Sequence, residues 1–179
     1  MSEATIRVFT YKDGLLARLA HDLQLTLERF EIEREGEDVR ARCWPESLRV
    51  DGAVKRGRLQ ERGLSEGDKQ KIRANMQNEI LYTARHPLIT FTGTARPRGG
   101  AIAVSGQLEL VGRSAAVELT LREQGGRLRG EVELKPTRWG IKPYKALAGA
   151  IKLQDRLTIR VDLPAPAGDE ERSSWSVGA

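Results

Sequence analysis

The sequence predicts an all-β fold, an antiparallel up-and-down barrel of about eight strands with one α-helix packed beside it. Three observations point there. Between Leu88 and Leu163 apolar residues recur on alternate positions, in Ile89 and Phe91, in Ile102, Val104, Leu108 and Leu110, in Val117, Leu119 and Leu121, in Leu128, Val132 and Leu134, and in Leu157, Ile159, Val161 and Leu163. Polar residues such as Thr90, Glu109, Glu118, Glu133 and Arg160 stand between them, so each strand has one wet face, as in an antiparallel sheet covered on one side. Glycines at Gly99-Gly100, Gly112-Arg113 and Gly125-Gly126 supply the positive φ angles of tight hairpins and join these runs into a meander.

The N-terminal half adds more strands. Thr5 to Tyr11 alternates, with Ile6 and Val8 on one face, and Asp13-Gly14 breaks it. Leu15 to His21 is apolar without strict alternation and suits a helical turn or an irregular crossing. Leu23, Leu25 and Leu27, then Phe30 and Ile32, form a long run whose phase shifts near Glu28-Arg29, which predicts a bulge and a bent strand. After a turn at Glu35 to Asp38, Val39 to Cys43 pairs back, and Ser47 to Asp51 continues beyond Pro45. Gly52 to Gly63 reads as a long loop. One segment is helical: Ser65 caps it, Glu66 and Asp68 lie in its first turn, and Ile72, Met76 and Ile80 form its apolar stripe, placing it at about residues 65–81. Pro136 to Lys152 interrupts the strands with Trp139-Gly140 and Pro143-Tyr144 and reads as a mouth loop or gate. Residues 1–163 thus form one domain, and Pro164 to Ala179 reads as a disordered tail.

Length and composition narrow the function. At 179 residues the chain encloses a sizeable core without staples. No apolar window is long enough for a membrane-spanning helix, the N-terminus lacks a basic segment followed by an apolar one, and Cys43 stands alone, so a cytoplasmic location is expected. The net charge of +5 is spread among 25 acidic residues rather than clustered, which argues against a nucleic-acid surface. Arg96, Arg98, Arg113, Arg127 and Arg129 gather at hairpin ends, where they would serve solubility, a polar head group or a transient contact with an anionic membrane surface. A homodimer is also compatible with the sequence.

Three stretches carry a family resemblance. They are Arg85-His86-Pro87-Leu88-Ile89-Thr90-Phe91-Thr92-Gly93 after the helix, Val104-Ser105-Gly106-Gln107-Leu108-Glu109-Leu110-Val111-Gly112, and Arg138-Trp139-Gly140-Ile141. In order and spacing the chain resembles the YceI-like family of lipocalin-like, polyisoprenoid-binding barrels, as a divergent cytoplasmic branch. The resemblance implies an elongated antiparallel barrel with a helix beside it and an isoprenoid or other long-chain lipid threaded along the axis, with no cofactor besides that ligand.

The residues themselves favour a cavity. Aromatics make up only 5% of the chain, and Gly93, Gly106 and Gly130 fall in phase with the inward positions, which suggests volume left unfilled near the axis. The candidate lining is Leu25, Leu27, Ile89, Phe91, Val104, Leu108, Val117, Leu119, Val132, Leu157 and Ile159, with Trp139 and Tyr144 as candidates to close the mouth. The same residues would equally suit a dry core and a packed rim. Non-enzymatic binding, transport or sequestration is the leading function. Two alternatives stand beside it: a barrel-mouth enzyme using His21 and Asp22 on a small apolar substrate, and an interaction module acting through the basic hairpin ends. Neither His21 nor His86 sits in a ligand-spaced cluster, so no metal site and no catalytic set are assigned.

Overall fold

The computed structural model describes residues 3–13, 21–168 and 174–179. The strands in chain order are β1 (Thr5–Lys12), β2 (Asp22–Leu27), β3 (Phe30–Glu35), β4 (Asp38–Cys43), β5 (Leu48–Lys55), β6 (Arg58–Gln60), β7 (Ile89–Arg98), β8 (Ala101–Leu110), β9 (Arg113–Gln124), β10 (Arg127–Leu134), β11 (Lys145–Ala146), β12 (Ile151–Pro164) and β13 (Ser174–Gly178). One helix, α1 (Glu66–Asn75), separates β6 from β7. The fold is all-β, with antiparallel neighbours in the order β13-β3-β4-β7-β8-β9-β10-β12-β1-β2-β5-β6 and β11 paired to β12.

Thirteen strands therefore replace the expected eight. Part of the difference is bending. β2 runs into β3 across Glu28–Arg29, and β4 runs into β5 across a short 3-10 turn at Pro45–Ser47. The two bends are bonded to each other: the Glu28 amide donates to the Ser47 carbonyl (3.2 Å), the Trp44 amide to the Arg29 carbonyl (3.1 Å), and the Arg29 amide to the Ser47 hydroxyl (2.9 Å). The Arg29 guanidinium also lies over the Trp44 ring, 4.1 Å from its centroid. The phase shift in the sequence marks this kink.

The remaining extra strands lie in segments read as loop, gate and tail. The expected loop at Gly52–Gly63 instead continues β5 and turns at Arg56-Gly57, both with positive φ as a two-residue hairpin requires, into β6. The tail is corrected in the same way over its last residues. Trp175 and Val177 alternate toward the core, while β13 pairs along the free edge of β3 and Ala179 exchanges backbone hydrogen bonds with Phe30. Burying that apolar pair and satisfying an exposed edge together offset the entropy of ordering the segment. The hairpins at Gly99-Gly100 and Gly125-Gly126 form as expected, whereas the β8–β9 turn falls one residue earlier, on Val111-Gly112. Leu15–Ala20 lies outside the described residues.

The helix begins where Ser65 predicts it. The Ser65 hydroxyl accepts the Asp68 amide (3.1 Å), and Asp68 accepts the Ser65 amide in return (3.3 Å), a capping box. Beyond Asn75 the backbone widens into a π turn over Met76–Ile80, in which the Leu81 amide reaches the Met76 carbonyl (2.8 Å). Arg73 and Gln77 donate to the Glu46 carbonyl, which ties this segment to the β4–β5 bend, while Ile72, Met76 and Leu81 pack on the sheet's apolar face.

Candidate functional site

The inward faces of the strands line an apolar cavity of about 920 Å³. Alternation places its walls: Ile6 and Val8 of β1, Leu23, Leu25 and Leu27 of β2, and their counterparts around the sheet all point in. Every lining candidate from the sequence, namely Leu25, Leu27, Ile89, Phe91, Val104, Leu108, Val117, Leu119, Val132, Leu157 and Ile159, lies on this wall, and so does Tyr144.

Trp139 does not. It is 1% exposed and packs with Val117 and Leu134 in a second apolar cluster. The 3-10 turn at Pro136–Trp139, ended by Gly140 with φ 75°, folds the indole onto the sheet, and its Nε1 donates to the Leu108 carbonyl (2.8 Å). That bond satisfies the polar edge of a ring otherwise surrounded by apolar groups, so Trp139 seats the base of the loop rather than closing the mouth.

The in-phase glycines do not leave empty space either. Gly93 and Gly106 face each other across β7 and β8, and a Cβ on either would fall within 2.9 Å of the Phe91 ring and closer still to the opposing backbone. A Cβ on Gly130 would stand 2.4 Å from the Thr120 carbonyl. These glycines allow neighbouring strands to coil tightly and an aromatic ring to lie across them.

The two ends of the cavity differ. At one end the β3–β4, β7–β8 and β9–β10 turns come together, with Arg96 of β7 paired to Glu37 (2.8 Å). At the other, α1 and the loop from Pro136 to Ala150 come together, and Asn75 Nδ2 donates to the Tyr144 hydroxyl (2.9 Å) between them. Exposed His21, Lys71 and Lys142 stand on this rim, with Asp68 beside them. The Ser65 hydroxyl and amide hold the Asp68 carboxyl below the usual carboxylate range. Leu147 is 67% exposed, and Leu147 and Ala148 both adopt positive φ, a strained conformation for residues with a Cβ.

Asp22 Oδ1 accepts the Lys12 amide (2.8 Å) and fixes the start of β2 against β1, while His21 is exposed at the rim. Of the basic hairpin ends, Arg96 is paired with Glu37, and Arg127 and Arg129 with Asp162. Burial opposes ionisation of Asp162, but the hydrogen bonds from Arg127 and Arg129 outweigh it and hold the carboxyl low. Cys43 also lines the cavity, and burial pushes its thiol up to about 12.

Sequence reasoning missed Asn75, Lys71, Arg34 and Trp175 as wall or rim residues. Signals for the last two were present: Arg34 is in phase with Phe30 and Ile32, and Trp175 alternates with Val177.

The model of the YceI-like domain matches residues 24–165. Solved structures that share the fold include Burkholderia cenocepacia BcnA (13% identity, TM-score 0.62, covering 90% of this chain and 96% of that one), and a polyisoprenoid binding domain from Saccharophagus degradans implicated in plant cell wall breakdown (11% identity, TM-score 0.57, covering 91% and 94%). No curated protein matches in sequence. With the family's domain spanning most of its length, the chain belongs to the YceI-like family.

Proposed function

We propose that the protein binds one long-chain isoprenoid or comparable lipid in this cavity and holds or carries it through water without chemical change. The observation that carries the reading is the cavity itself: about 920 Å³, walled by Leu, Ile, Val and Phe side chains from nearly every strand. A cavity of this kind binds by area. Each buried methylene contributes roughly 0.8 kcal/mol, so a five-carbon isoprene unit contributes on the order of 3 kcal/mol before ordering costs. The likeness to a polyisoprenoid binding domain supports the same ligand class.

In this reading the sheet acts as a closed wall. Taking β2 with β3 and β4 with β5 as two bent strands gives a circuit of eight, because the ribbon they form is bonded to β1 on one side and β7 on the other. The ligand enters between α1 and the 136–150 loop, and the Asn75–Tyr144 hydrogen bond closes the opening behind it.

A chain-length series tests the reading. Binding of geraniol, farnesol and geranylgeraniol, measured by equilibrium dialysis, is expected to tighten by at least about tenfold per added isoprene unit until the cavity is filled. Affinity independent of chain length, or no binding of any of the three, would contradict it.

A further inference from the structure

The end of the cavity near the β3–β4 turn carries two half-buried polar side chains on its lining. Arg34 of β3 and Trp175 of β13 are direct cross-strand partners, so their side chains share one face, and both line the cavity. Ile32, Val39, Leu121 and Leu163, all buried, line the same cavity. The Trp175 Nε1 is buried and has no hydrogen-bond partner. Arg34 donates from Nε to the Gly36 carbonyl (2.9 Å) and from Nη2 to the Ala95 carbonyl (3.3 Å), but no carboxylate pairs with it among the described residues. A guanidinium has five N–H groups, so donors remain after these two bonds.

A buried donor such as the Trp175 Nε1 is costly without an acceptor, and the half-buried Arg34 keeps free donors and positive charge beside it. Both would be met by one kind of partner, a group that only accepts hydrogen bonds and carries negative charge. We propose that Arg34 and Trp175 form a head-group site for a carboxylate or phosphate monoester, so that an anionic lipid lies with its head at this end and its chain toward the mouth. The inference rests on the cavity being a lipid site. It also gives β13 a role: this strand lies beyond the residues matched to the family's domain and brings to the wall a donor that residues 24–165 do not contain. The rim is a poorer site for an anion, because Asp68 stands among its cations and the group would remain in water.

Equilibrium dialysis with matched pairs tests the assignment: oleate against methyl oleate, and farnesyl phosphate against farnesol. The wild-type protein is expected to prefer the anion by about tenfold in at least one pair, and the favoured pair separates carboxylate from phosphate. Arg34→Met should abolish that preference while the uncharged ligand still binds. Trp175→Phe, which keeps a ring against the wall, should weaken the preferred anion by about fivefold to tenfold. Equal affinity within both pairs in the wild type, a preference that survives Arg34→Met, or an unchanged anion affinity in Trp175→Phe would overturn the site while leaving the cavity reading intact. Binding of none of the four ligands would overturn both.

Discussion

Filling the cavity from one wall should separate binding from folding. Val104 sits midway along β8, between Ala95 and Leu119 in the ladder, half-buried and facing the cavity. Val104→Trp adds about seven heavy atoms, enough to displace a five-carbon isoprene unit, so the loss is on the order of 3–4 kcal/mol, or about a hundredfold to a thousandfold in affinity. The ring enters existing space, so the usual overpacking cost does not arise and stability should change by less than about 1 kcal/mol. Gln107→Trp is the control, since Gln107 is exposed on the same strand's outer face. Dialysis against geranylgeraniol with parallel thermal unfolding reads both effects. The reasoning fails if folded Val104→Trp binds like the wild type, or if Gln107→Trp loses as much.

Other consequences follow from particular contacts. Tyr144→Phe removes the hydrogen bond to Asn75 and should speed ligand release by about twofold to tenfold in stopped-flow displacement, with little effect on melting. Trp139→Phe removes the Nε1 bond to the Leu108 carbonyl and part of a fully buried ring, and should cost roughly 1–3 kcal/mol in denaturant unfolding with lipid affinity unchanged, because the indole is not on the cavity wall. Burial holds the Cys43 thiol at about 12 against an ordinary 9.0, so below pH 9 its alkylation should run about a thousandfold slower than in the unfolded chain. The stability contributed by the neutral thiol is complete below pH 9 and fades as the pH rises toward 12, a loss that Cys43→Ser should not show. Asp162 works in the opposite sense. Its carboxyl is held low by Arg127 and Arg129, so Asp162→Asn should destabilise the protein at neutral pH, and the difference should shrink as acid protonates the wild-type group below its ordinary value of 3.8.

The period-two pattern made the strands legible, and with them the wall, because an inward Leu, Ile or Val on each strand follows from local alternation alone. The bend at Glu28–Arg29 was readable for the same reason, as a break in phase. What misled was chemistry that depends on distant partners. Gly93 and Gly106 look like missing volume in one dimension; only the ladder shows that they face each other beneath Phe91. Trp139 looked like a mouth residue because its hydrogen-bond acceptor, Leu108, is 31 positions away. The tail's polar and small residues obscured a short alternating run whose stability comes from the edge of β3. Asn75 lies off the apolar stripe of α1, and nothing local ties it to Tyr144.

Native mass spectrometry of the purified protein, before and after incubation with geranylgeraniol, tests the central claim most directly. A carrier built around this cavity should show one bound lipid per chain, either retained from purification or taken up on incubation, and should lose it in Val104→Trp. A folded protein that remains bare under both conditions would contradict the assignment.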